Sequence, residues 1–340
     1  MIIRSKAPLR IGLAGGGTDV SPYCDLFGGA ILNATVSLYA YATIEPLDTG
    51  EIIFNVADRN EFEKLDSAME LTLNGNLDLL KCVYNRVVKD FTKKPLSFKL
   101  STFVDAPAGS GLGTSSTLVV AILGAFAEWL KLPLGEYDIA HLAYEIERVD
   151  CKMAGGRQDQ YAATFGGVNF MEFSKDDKVI VNPLRIKEQY LSELEHNLVL
   201  FYTQTSRFSS KIIEQQSKNV NDKNQSSINA MHNLREQSVR MKEALLRGQI
   251  HQIGEILDFG WKHKKQMAGG ITNPLIDEIY QSAIQAGATG GKISGAGGGG
   301  FMIFYCPGTT RYNVIKVIEK FGGSVKRYTF TKEGLSTWTI

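Results

Sequence analysis

Hydrophobic and polar positions change period several times along this chain, and each change marks an element. In "MIIRSKAPLRIGLAG", Ile2, Leu9, Ile11 and Leu13 sit in the alternation of a strand, which breaks at Gly15, Gly16 and Gly17. "AILNATVSLYAYATIEPL" reads as a long strand and "EIIFNV" as the next, with "DTG" as the turn between them. Leu79, Leu80, Val83, Val87 and Phe91 fall at helical spacing, and "LSFKLSTFV" returns to strand alternation. "TLVVAILGAFAEWLK" is apolar all round, which predicts a buried helix. "YDIAHLAYEIERVDC" carries Ile139, Leu142, Ala143, Ile146 and Val149 as one inward stripe. "GGVNFMEF" and "KVIVNPL" then read as strands.

Near residue 185 the texture changes. After the strand "NLVLFYT" the chain is helical and polar from Ser209 to Ala268. A well-punctuated helix follows, with Asn273 as cap, Pro274 in the first turn and Gly287 at the end. Strand, helix and strand complete the pattern in "FMIFYC", "RYNVIKVIEKFG" and "SVKRYTF". The pattern predicts two domains, residues 1–185 and 186–340.

Composition narrows the function classes. Lysine plus arginine number 37 and aspartate plus glutamate 36, so no bulk charge advertises nucleic acid or an anionic membrane. An anionic ligand must be held by a local site. No apolar run is long enough for a signal peptide or a membrane helix. The four cysteines, Cys24, Cys82, Cys151 and Cys306, are far apart and suggest neither a zinc site nor a disulfide framework. The expectation is a cytoplasmic protein with reduced thiols.

The stretch "APAGSGLGTSST" places Gly109, Gly111 and Gly113 at alternate positions before Thr114, Ser115, Ser116 and Thr117, where the buried helix begins. Glycines let backbone approach a ligand, and the first N–H groups of a helix are free donors at its positive end. A phosphate fits there without the lysine of the common phosphate loop, and a serine hydroxyl can ligate Mg²⁺ carried by a nucleotide. A plain helix cap would not require glycine at every second position.

Three further stretches carry candidate chemistry. "KISGAGGGGF" has five glycines in six positions but runs into a strand, so it is not a dinucleotide fingerprint; it reads as a hairpin or as close backbone approach to a ligand. "EIERVDCKMAGGRQDQYAATFGG" places Glu147 at a helix end and Asp159 in a glycine-flanked loop beside Arg157, whose charge would keep the carboxylate ionised if the two approach. "PLRIGLAGGGTD" puts Arg10 on a strand and Thr18 and Asp19 after a tight turn, where they suit sugar hydroxyls or a helix cap.

Together "PLRIGLAGGGTD", "PAGSGLGTSST" and "KISGAGGGGF" resemble, in order, the three motifs of the GHMP kinase family. The resemblance spans nearly the whole chain. It implies an α+β fold of two domains, the first of the ribosomal-S5 type and the second ferredoxin-like, with the active site between them. ATP and Mg²⁺ are the implied cofactors. The phosphates would lie on Gly109, Ser110, Gly111, Leu112, Gly113, Thr114, Ser115 and Ser116, and the metal on Ser115 and Glu147. Asp159 matches the family's base and Arg10 the basic residue beside the reacting hydroxyl. Thr18, Asp19 and Gly297 fall on the substrate side, and Arg157 and Arg207 are the cations expected to hold a substrate phosphate. Gly15-Gly16-Gly17-Thr18-Asp19 lacks the acid and histidine of the galactokinase motif. With "LVLFYTQTSRFSS", it is similar instead to the branch that phosphorylates the anomeric hydroxyl of a heptose 7-phosphate, followed by the fucokinases. A catalytically silent sugar sensor on this fold is the alternative of another class. The surviving Asp159, Ser115 and Glu147 favour an enzyme. Expected partners are ATP and a phosphorylated sugar, with neither nucleic acid nor membrane, and with homo-oligomerisation left open.

Overall fold

A computed structural model of the chain describes residues 1–205 and 209–340. Its first half is β1 (Ile3–Ala14), α1 (Tyr23–Phe27), β2 (Gly29–Pro46), β3 (Glu51–Val56), β4 (Glu61–Asp66), α2 (Asp78–Val87), β5 (Phe98–Val104), α3 (Thr114–Leu130), α4 (Glu136–Glu145), α5 (Gln158–Phe165), β6 (Val168–Phe173) and β7 (Val179–Pro183). The second is α6 (Glu188–Asn197), β8 (Leu198–Tyr202), α7 (Ser209–Asn221), α8 (Gln225–Arg247), α9 (Ile253–Lys264), α10 (Pro274–Gln285), β9 (Gly290–Ile293), β10 (Phe301–Tyr305), α11 (Arg311–Ile318), β11 (Ser324–Lys326) and β12 (Ser336–Thr339).

The long strand β2 organises the first sheet. β1 pairs along one side of it, while β6 and then β5 share the other, from Gly29 to Ala34 and from Ala40 to Pro46. β3 runs parallel to β5, β4 extends that edge, and β7 pairs with β6. α3 packs on β1 and β2, and its side chains from Ser116 to Phe126 are buried, as its uniformly apolar sequence predicts. Phe98 meets Phe126 edge-on at 5.3 Å between centroids, one of the aromatic contacts that fix the helix on the sheet.

The second sheet has order β11-β8-β10-β9, with every pairing antiparallel. Helices connect β8 to β9 and β10 to β11, and a glycine hairpin joins β9 to β10. This is the ferredoxin-like arrangement. α8 and α9 lie against β1 as well as against their own half. Leu9, Ile11 and Leu13 therefore share one core with Leu245, Ile256 and Ile303. That double contact explains why β1 is buried on both faces from Ala7 to Ala14.

Several expectations need correction. β4 and β12 are strands that the alternation did not mark, and β12 pairs with β1, so the end of the second sequence segment returns to the first sheet. α4 does not run on to Cys151; it widens into a π turn over Ile146–Asp150, closed by the Cys151 N–H on the Ile146 carbonyl at 2.9 Å. Cys82 and Cys151 meet as a pair with Cα atoms 6.2 Å apart, a pairing that their spacing did not suggest, while Cys24 and Cys306 are free and buried. The cause is packing, since Arg86 of α2 bridges Glu145 and Asp150 across the same junction and brings distant positions together. No helix among the described residues is long and apolar enough to cross a membrane.

Candidate active site

Three glycine-rich segments from different parts of the chain converge on one cleft. Gly109, Gly111 and Gly113 have φ of 71°, 87° and 79°, left-handed values that side chains disfavour. No side chain caps α3, so the plain capping role is absent and its first N–H groups face the cleft with Thr114, Ser115 and Ser116. Ser110 and Leu112 point the other way and are fully buried, anchoring the loop from beneath.

The second glycine run is the hairpin between β9 and β10, and it lies on the first loop. The Phe301 N–H donates to the Ser110 carbonyl at 2.8 Å, and Ser294 Oγ donates to the Gly111 carbonyl at 2.9 Å. A Cβ at Gly111 would collide with the Ser294 carbonyl, and one at Gly300 with the Ser110 carbonyl. These glycines thus serve contact between two backbones, while Gly297 lines the cleft beside them.

Arg10 reaches into this junction from β1. Its Nε donates to Asp159 Oδ1 at 2.7 Å, and its terminal nitrogen donates to the Gly111 carbonyl at 2.6 Å. Asp159 stands in the first turn of α5 rather than in a loop, and its partner is Arg10 rather than Arg157. A Cβ at Gly113 would stand 3.2 Å from Asp159 Oδ2, which places the carboxylate at the mouth of the first glycine loop. The Asp19 carboxylate accepts the N–H groups of Arg157 and Gln158 at 2.9 and 3.0 Å, capping α5 from a separate segment. Burial pushes the Asp19 carboxyl above its ordinary value despite those donors, and nearby Asp159 adds to the effect.

Ser115 and Glu147 also meet. Ser115 Oγ donates to Glu147 Oε1 at 3.0 Å, and Gln160 donates to the other carboxylate oxygen, itself fully buried. The π turn after α4 carries Glu147 to this position. Two oxygen donors at the start of a helix whose first N–H groups are open fit Mg²⁺, a hard cation that prefers oxygen ligands.

Two expected residues are turned to other work. Thr18 is fully buried, with its hydroxyl bonded to the backbone of Gly15 and Ala30. Arg157 is buried behind the cleft, paired with Asp25 and Asp177 and donating to Ser21 and Ser174. Arg207 lies outside the described residues. The cations that do line the cleft are Arg10, Arg148, Lys264 and Lys292. Lys264 and Lys292 went unnoticed in sequence, although Lys264 continues the buried stripe of Leu257 and Trp261 along α9. Gln158 and Gln216 also line the cleft. Beside it, past Gly109 and Thr114, opens a cavity of about 740 Å³ walled by Val56, Leu77, Leu80 and Leu118 among others.

Fold and site together define a phosphotransferase, and the chain belongs to the GHMP kinase family: the N-terminal domain model matches residues 78–167 and the C-terminal model 241–323. It is an ATP-dependent kinase. It is 51% identical, over 99% of each chain, to the D-glycero-alpha-D-manno-heptose 7-phosphate kinase of Campylobacter jejuni. A crystal structure of a D-glycero-D-manno-heptose 1-phosphate kinase from Bacteroides thetaiotaomicron superposes with a TM-score of 0.85 at 45% identity, covering 99% of each chain. The L-fucokinase/L-fucose-1-P guanylyltransferase of Bacteroides fragilis is 25% identical over 88% of this chain and 34% of its own length.

Proposed function

We propose that the protein transfers the γ-phosphoryl group of ATP to the anomeric hydroxyl of D-glycero-D-manno-heptose 7-phosphate, giving the 1,7-bisphosphate. The observation that carries this reading is the Arg10–Asp159 pair held against the phosphate loop, in a chain 51% identical to a heptose 7-phosphate kinase. The nucleoside occupies the cavity beside Gly109, and the phosphates follow the free N–H groups of the loop and α3. Ser115 and Glu147 would hold Mg²⁺, which would supply positive charge against the nucleotide phosphates.

The acceptor lies on the Asp159 side. Asp159 accepts the proton of the anomeric hydroxyl while that oxygen bonds to the γ-phosphorus. The bond from the γ-phosphorus to the β,γ-bridging oxygen breaks, and ADP leaves with the electron pair. Arg10 orients the carboxylate and faces charge that develops on the transferred group. An anomeric hydroxyl is more acidic than an ordinary alcohol, so Asp159 acts largely by orienting the nucleophile.

The test is a panel of ATP-consumption assays with heptose 7-phosphate, unphosphorylated heptose, L-fucose and mevalonate. Efficient turnover of heptose 7-phosphate alone is expected. Preference for fucose or for the unphosphorylated sugar would replace this substrate by another. Asp159→Asn, which keeps the shape and removes the charge, should lower kcat by roughly 10²–10⁴ with ATP affinity nearly unchanged. Retention of more than about a third of wild-type kcat would remove Asp159 from the mechanism, because that loss is under ~1 kcal/mol.

A further inference from the structure

The floor of the cleft holds more positive charge than its own carboxylates answer. Lys264 of α9 and Lys292 of β9 are 2% and 3% exposed, and both line the cleft. Lys264 Nζ donates to the Gly295 carbonyl at 2.5 Å and Lys292 Nζ to the Gly12 carbonyl at 2.7 Å. Neither ammonium has a carboxylate within salt-bridge distance among the described residues. An ammonium donates three hydrogen bonds, and burying its charge without a counterion is costly.

The wall beside the two lysines is bare backbone at Gly16, while the Met267 methyl packs against Gly17. Lys264 Nζ lies 3.7 Å from where a Cβ at Gly16 would stand, and Gln216 Oε1 lies 3.5 Å from the same point at Gly17. Among the described residues, the N–H groups of Gly16 and Gly17 donate to no protein acceptor. Lys292 Nζ and Gln158 Oε1 lie 3.9 and 4.0 Å from the Cβ position of Gly12, and Gln158 Oε1 is buried without a donor. Gly12 follows Arg10 by two residues on β1, so these groups extend from the Arg10–Asp159 pair toward the turn at Gly15–Gly17.

We infer that Lys264 and Lys292, with the open backbone of Gly16 and Gly17, form the seat for the phosphate that the acceptor already carries, while Gln158 accepts from one of its hydroxyls. This rests on the substrate reading above and replaces Arg157 as the substrate-phosphate ligand. A phosphate there supplies the missing counterion and acceptors for the spare donors. A side chain at position 16 would narrow the space it needs, whereas one at position 17 would run into Met267.

Electrostatics of the free protein agree. Burial and then the charge of Arg10 lower Lys264 to about 8, partly offset by Asp19. Burial, then Lys264 and Arg10, hold Lys292 well below its ordinary range. Arg10, Arg148, Asp19 and Asp159 are the other charged groups that line the cleft with the pair. An anion seated between the lysines favours their charged forms, so its binding takes up protons.

The experiment uses the full chain with Mg²⁺ and a non-hydrolysable ATP analogue, which occupies the nucleotide phosphate site. Binding of inorganic phosphate and of heptose 7-phosphate is measured by calorimetry in buffers of different ionisation enthalpy near pH 8. Steady-state kinetics run in parallel. For Lys264→Met and Lys292→Met we expect KM for the sugar phosphate to rise roughly 10–100-fold, the change due to one lost charge-assisted contact. KM for ATP should stay within about 2-fold, and proton uptake should fall. Gly16→Ala, which keeps both charges and narrows the seat, should raise the same KM. This second route does not depend on the lysine variants folding. Phosphate affinity and proton uptake unchanged in all three variants would overturn the seat, as would a loss confined to kcat. If the wild type binds phosphate through Lys264 but does not phosphorylate heptose 7-phosphate, the seat stands and the substrate reading falls.

Discussion

At the scale of single residues, the site separates groups that touch reactants from groups that hold those groups in place. Ser115 and Glu147 belong to the first kind in this account. Ser115→Ala and Glu147→Ala should each raise the Mg²⁺ concentration needed for half-maximal rate, with little change in Tm for the serine variant. An unchanged Mg²⁺ dependence in both would refute the metal assignment. Arg157 belongs to the second kind, because its guanidinium is spent on Asp25, Asp177, Ser21 and Ser174. Arg157→Met should lower Tm, since it removes the buried guanidinium that ties Asp25, Asp177, Ser21 and Ser174 together. It should leave the ratio of KM for sugar phosphate to KM for unphosphorylated sugar unchanged, and a collapse of that ratio would restore Arg157 to the phosphate site. That Asp159, Arg10, Ser115 and Glu147 gather around one glycine loop was legible because motif residues keep fixed positions relative to it. Thr18 and Arg157 were misread, because sequence shows the presence of a polar group but not which partner consumes it.

Among the elements, the glycine runs were the most legible feature and the one whose purpose was least so. The alternating glycines before α3 predicted a loop of special backbone conformation, and each of the three has a positive φ. The run after β9 suggested close approach to a ligand. Its closest approach is to the first loop, a contact between residues nearly two hundred positions apart that no local pattern encodes. Gly111→Ala tests this. It places a side chain at φ of 87°, costing about 1–3 kcal/mol in strain alone, and drives a methyl into the Ser294 carbonyl. A clear fall in Tm together with weaker ATP binding is expected. An unchanged Tm would mean that the two loops are not packed as described. α9 shows what period analysis can recover with one further question. A lysine on a buried stripe after Leu257 and Trp261 is a reason to look for a ligand, and Lys264 is that lysine.

For the whole molecule, the two halves share a core along β1, and the cleft lies where they meet. Most strands and the helices α2, α3, α4, α10 and α11 followed from periodicity, whereas α1, α5 and α6 did not. β12 did not, because its place on β1 depends on the chain returning from the far end. The shared floor has a cost that pH exposes. Lys264 is lowered from 10.5 to about 8, so between those values the unfolded chain binds the proton and the folded chain does not. Stability of the substrate-free protein from this group therefore rises with pH across that window and is lost as pH falls through about 8. Lys292 acts in the same direction. Urea midpoints at pH 7.5 and about 9.5 should differ less in Lys264→Met than in the wild type. An equal difference in both would show that Lys264 is not buried as a charge.

The central claim is that Asp159 and Arg10 direct an anomeric oxygen at the γ-phosphorus beside the loop at Gly109–Ser116. The position of the new phosphate on the sugar reads this directly. Wild-type enzyme would be supplied with ATP, Mg²⁺ and heptose 7-phosphate, and the product examined by phosphorus NMR with correlation to sugar protons. The account predicts a second phosphorus resonance coupled to the anomeric proton, with the original phosphate still coupled to the C7 protons. A new phosphate coupled to any other sugar proton, or ADP formation without phosphorylated sugar, would contradict it.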